Sequence, residues 1–242
     1  MRTLLAFLVA GGLAAAARAA DVPAAPAPPV TITLGARHGH VTPSRNGFTH
    51  TGGGNIDVAQ PAPDTVIITM TGVAVAGAHL CKDSVATLQF ELAQCFEIAI
   101  ADPKLKRARL TLEGRVIGLL RSHCKGGGSA EQGAATAAVS CGPSAVVSLA
   151  VPPHSVAGGE NESINDREGP VSAAAVPARY TLHQTWVVSA AHPHNLRFCK
   201  AASAEFAPDP ALDPLWISYW EPFHGAAKKD FGFQVTLKVA AP

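Results

Sequence analysis

The sequence predicts an all-β protein, an antiparallel β-sandwich of about 8–10 strands with few or short helices. A closed β-barrel is the alternative. Three observations predict this. The dominant hydrophobic period is two, turn residues punctuate the chain at short intervals, and no long stretch repeats with a helical period. One-sided alternation means one wet face and one buried face, which is the signature of antiparallel pairing.

The first elements are not strands. Arg2 precedes a short apolar run, "LLAFLVAGGL" (Leu4–Leu13), and Ala17-Arg18-Ala19 gives the small-x-small pattern of a cleavage site. Residues 1–20 read as a secretory signal segment. The run is about half the roughly 20 residues that a bilayer-spanning helix needs. Residues 21–30, "DVPAAPAPPV", read as a Pro/Ala-rich linker, and residues 31–242 as a single sandwich domain.

Within that domain the strands follow in order. "VTITLGA" (Val30–Ala36) is extended, and "TVIITMTGVAV" (Thr65–Val75) is rich in β-branched residues. "ATLQFELAQCFEIAI" puts Ala86, Leu88, Phe90, Leu92, Phe96, Ile98 and Ile100 on one parity, with a bend or bulge expected near Gln94-Cys95. "RARLTLEGRVIGLL" carries Leu110, Leu112, Val116 and Leu120, and "AVVSLAV" (Ala145–Val151) is a further short strand. "RYTLHQTWVVSA" sets Tyr180, Leu182, Gln184, Trp186 and Val188 against Thr181, His183, Thr185 and Val187. "FGFQVTLKV" closes the chain with Phe233, Val235, Leu237 and Val239 on one face. Between these runs, "NGF" (46–48), "TGGGN" (51–55), "QPAPD" (60–64), "GGGS" (126–129), "PP" (152–153) and "APDPALDP" (207–214) read as turns.

Composition excludes some functions. Lys+Arg total 19 and Asp+Glu 18, and loss of Arg2 and Arg18 with the signal segment leaves a net charge near −1. The charged fraction, 15%, is below the usual quarter or so, so neither nucleic acid nor another polyanion is expected as a partner. No later stretch predicts a membrane span. The motifs G-x-S-x-G, H-E-x-x-H, G-x-x-x-x-G-K-S/T and G-x-G-x-x-G are absent.

Five cysteines enter an oxidising compartment, so one stays unpaired within the chain. Closeness along the chain favours Cys81–Cys95 and Cys124–Cys141. Two bridges among five thiols can be drawn in fifteen ways, so Cys199 and the pairing as a whole stay open.

Ten histidines include two H-x-H pairs, His38/His40 and His192/His194. On a strand, residues i and i+2 share a face and can direct two imidazoles at one zinc ion, with His50, His79, His183 or His224 as a third ligand. The stretch "GGENESINDREGP" (Gly158–Pro170) reads as an acidic loop. Its Glu160, Glu162, Asn165 and Asp166 are candidate calcium ligands. Glu91, Glu97 and Glu221 are candidate carboxylates for glycoside hydrolysis.

The stretch "DPLWISYWEPFH" (213–224) holds two of the three tryptophans. It suits a capped helix or a strand, and Trp216 and Trp220 share a face in both. With Tyr219, Glu221 and His224 they form the candidate ligand platform, and core packing is the reading preferred for them. Three functions follow. The first is a secreted or periplasmic, non-catalytic binding or envelope module whose partner is an extracellular protein or a glycan. The second is a metal-dependent hydrolase built on the H-x-H pairs. The third is a carbohydrate-binding module using Trp216, Tyr219 and Trp220.

Overall fold

The computed structural model describes residues 28–46, 49–76, 83–122, 128–192, 202–206 and 232–242. They form thirteen strands and no helix. In chain order these are β1 (Val30–Asn46), β2 (Thr49–Ala62), β3 (Thr65–Ala76), β4 (Ser84–Ile100), β5 (Ala108–Ser122), β6 (Ser129–Gln132), β7 (Ala135–Cys141), β8 (Ser144–Val151), β9 (His154–Ala157), β10 (Asn161–Ala175), β11 (Ala178–His192), β12 (Ala202–Phe206) and β13 (Gly232–Ala240).

Two antiparallel sheets face each other and do not close into a barrel. The first sheet runs β1-β4-β11, and β11 then pairs with both β6 and β7, which continue to β9 and β8. The second runs β10-β5, then β12 and β13 in one lane, then β3 and β2. The strand count exceeds the expectation because three lanes are split. Pro152-Pro153 lacks two backbone donors and separates β8 from β9. Gly133-Ala134 separates β6 from β7. Residues 207–231, which lie outside the described residues, fall between β12 and β13 in the chain. Gly232 opens β13 at φ +124°, and a Cβ there would collide with the Met70 carbonyl, so the chain re-enters the sheet only through glycine.

The core is the meeting of the predicted parities. Leu88, Phe90, Leu182, Trp186, Val188, Leu110, Leu112, Val116, Phe233, Val235, Leu237 and Val239 are all buried in one cluster. Trp186 bridges the two sheets, with ring centroids 5.1 Å from Phe90 and 6.3 Å from Phe233. Each such pair adds about 0.5–1.5 kcal/mol beyond its area. Tyr180 stacks on Phe96 at 5.6 Å. Its hydroxyl donates to the Val176 carbonyl at 2.8 Å and accepts from the Val176 amide at 3.0 Å, which pins the crossing from β10 to β11. Burial raises the Tyr180 pKa and outweighs the bond to Val176, which lowers it.

Three expectations are corrected. The bulge lies not in β4 but on its partner β1, between Leu34 and Arg37. Gln94 marks it from below by donating to the Gly35 carbonyl at 3.1 Å. "TGGGN" is not a turn but part of β2. A Cβ at Gly54 would strike Val41 and the Phe90 ring, so small residues here let β2 pass over the core. "GGENESINDREGP" is not a loop, because β10 begins at Asn161 and runs through it.

Candidate functional site

Alternation on β5 decides which side chains meet solvent. Leu110, Leu112, Gly114 and Val116 turn to the core, so Arg109, Thr111, Glu113, Arg115 and Arg121 lie at outward positions. Register then brings neighbours onto the same face. Arg115 stands opposite Arg167 of β10 on one side and Gln234 of β13 on the other, and Glu113 stands opposite Thr236.

Like charges directly opposite in a sheet destabilise it. The two guanidinium groups avoid this by turning along diagonals. Arg167 Nε lies 2.6 Å from Glu113 Oε1, and this hydrogen bond raises the Arg167 pKa further. Arg115 Nε and Nη2 donate to Asn165 Oδ1 at 3.3 and 3.1 Å. Gln234 Nε2 reaches Thr69 Oγ1 at 3.4 Å. The result is a polar groove of about 410 Å³ lined by Glu113, Arg115, Asn165, Arg167, Gln234 and Thr236, with Gly114 contributing backbone only. This volume falls within the range of small-ligand sites.

The face around the groove is basic. Arg109, Arg115 and Arg121 on β5, Arg167 on β10 and Lys238 on β13 occupy outward positions. Glu113 is the one carboxylate at such a position on these three strands. The near-neutral composition conceals this because the acidic residues of β10 turn the other way.

Glu162 and Asp166 face inward at the open edge of the sandwich, where β9 of one sheet lies against β10 of the other. There they bracket His154, a residue outside the sequence-based candidates. His154 Nδ1 lies 2.9 Å from Glu162 Oε1, and Nε2 lies 2.5 Å from Asp166 Oδ2. Partial burial is the largest influence on the ring and opposes its charge, but the two carboxylates together outweigh it and raise the pKa. This is an ionic clip between sheets. It also corrects the calcium reading. Asn165 is on the opposite face, bound by Arg115, and Glu160 is exposed ahead of the strand, so the four oxygens do not converge.

His38 and His40 do share the outer face of the first sheet, opposite Ala93 and Glu91 of β4, and His183 stands across Ala93 from His38. His40 Nε2 is 3.5 Å from Glu91 Oε2. Among the described residues no three His, Cys, Asp or Glu side chains form a group able to hold a metal ion, so the zinc and calcium expectations find no centre there. His192 is buried at the end of β11, and His194 lies outside the described residues. Glu91 and Glu97 are six residues apart along β4, or about 20 Å, too far for paired glycosidase carboxylates. Glu97 instead meets Arg179 at 3.8 Å.

Cys95 and Cys141 are free thiols, and Cys95 Sγ lies 3.8 Å from Thr181 Oγ1. Cys81 and Cys124, their expected partners, lie outside the described residues, as does Cys199. So do Trp216, Tyr219, Trp220, Glu221 and His224, and residues 1–20, on which the signal expectation rests. No helix among the described residues is long and apolar enough to cross a membrane.

Of the groove residues only Asn165 was singled out by sequence reasoning, and as a calcium ligand, although a signal for the others existed. Arg109, Arg115 and Arg121 repeat at an even spacing on the wet parity of one strand. Comparison of the chain with protein-family models and with curated proteins finds no match.

Proposed function

We propose that the protein is a non-catalytic β-sandwich binding module, exported by its N-terminal segment to the cell envelope or the extracellular space. Its ligand seats on the outer face of the β10-β5-β13 sheet. The observation that carries this reading is the polar groove at Arg115, a recess with an organised hydrogen-bonding wall on an otherwise pleated surface. Binding without turnover suits the site, because the groove presents two guanidinium groups already engaged with neighbours, the Glu113 carboxylate paired with one of them, two amides and a hydroxyl. It has no nucleophile paired with a base.

The test is an array of glycans and envelope polymers probed with the secreted chain, followed by product analysis of every ligand retained. Retention without turnover, lost in a folded Arg115→Gln/Gln234→Ala variant, is the expected result. Retention unchanged in that variant, or turnover of a retained ligand, contradicts the reading.

A further inference from the structure

We infer that the groove takes a carboxylate-bearing glycan, with Arg115 as the residue that reads the carboxylate. This rests on the binding-module reading and adds the ligand class. A guanidinium group has five N–H donors. Arg115 spends its side-on pair, Nε and Nη2, on the single oxygen of Asn165. Its end-on pair, Nη1 and the second N–H of Nη2, is the fork that matches a carboxylate in two parallel bonds.

Charge points the same way. Glu113 compensates Arg167, whereas Arg115 forms no ion pair among the described residues. Arg109 and Lys238 add to the same face. An anionic partner is therefore attracted along the sheet and seated at its middle.

The flanking groups select a polyhydroxylated ligand. Thr236 and Gln234 line the same groove, and their hydroxyl and amide oxygen match sugar hydroxyls. The groove has no aromatic side chain, so neutral sugars have no ring to stack on and recognition falls to charge and hydrogen bonds. A lipid surface fits less well. The exposed large apolar side chains among the described residues, Val85 and Val176, lie off this face and cannot anchor it in a bilayer.

The experiment titrates the secreted chain with oligogalacturonate, with a neutral dextran oligosaccharide and with phosphatidylglycerol vesicles at about 50 and 500 mM salt. The expected result is binding of oligogalacturonate alone. It weakens at high salt and falls about tenfold or more in Arg115→Gln with an unchanged thermal melt. Glu113→Gln, which removes the competing carboxylate, strengthens it. Equal binding of dextran, with both ligands weakened by Arg115→Gln, overturns the ligand class and leaves the module standing. Binding of vesicles in place of oligogalacturonate, no binding of oligogalacturonate, or binding indifferent to Arg115→Gln overturns the inference outright.

Discussion

Arg115 and Arg167 stand directly opposite each other in the β5–β10 register, yet each guanidinium is drawn off along a diagonal, one to Asn165 and the other to Glu113. Two cations that ought to repel thus become the wall of a groove. Glu113 is what makes the arrangement tolerable. Glu113→Gln lowers the urea midpoint, and Arg167→Gln in that background recovers part of the loss because the repulsion goes with it. A midpoint unmoved by Glu113→Gln means the diagonal pair is solvent decoration.

The His154 clip predicts a pH signature. Its raised folded pKa means that the clip contributes fully below the ordinary histidine value of about 6.5 and fades as pH rises through the raised value. Glu162 and Asp166 are the groups that hold the ring. His154→Asn is expected to cost about 1 kcal/mol near pH 6, and less near pH 9. Urea titrations of both proteins at the two pH values measure the difference. A gap that stays constant shows that His154 acts as a neutral ring.

Gln184 is the weak point of the core. It is 1% exposed, and among the described residues neither its amide nitrogen nor its amide oxygen has a partner. Methionine fills nearly the same volume without the polar atoms. Gln184→Met should therefore raise stability by about 1–2 kcal/mol, read as a higher melting temperature. A fall instead would mean that the amide is satisfied in solution and that it holds β11 in place.

Gly232 tests the re-entry of the chain into the sheet. Gly232→Ala must take a side chain into φ +124° and against the Met70 carbonyl. A loss of about 2–4 kcal/mol in chemical denaturation is expected. A near-neutral substitution would show that β13 begins one residue later and that Gly232 is free to move.

The fold was legible wherever alternation was strong. Trp186, Phe90, Val235 and Leu237 are buried as their parity predicts, because a strand with one wet face leaves its pattern in the sequence. Thr51–Asn55 and Asn161–Pro170 were not legible. Glycine and acidic composition are local turn signals, and here the pairing of β2 with β3 and of β10 with β5 overrides them. The site was hidden for a related reason. Net charge sums both faces of every strand, so the outward cations, of which Glu113 offsets one on their own face, are cancelled on paper by carboxylates that face elsewhere. His154 gave no signal at all, because its partners come from the other sheet.

The most direct test of the central claim is amide shift mapping of the ¹⁵N-labelled protein titrated with oligogalacturonate. The groove predicts the largest shifts at Glu113–Arg115, Asn165–Arg167 and Gln234–Thr236, the segments that line it. Shifts centred on the outer face of β4 and β11, or no saturable shift on β5, would contradict it.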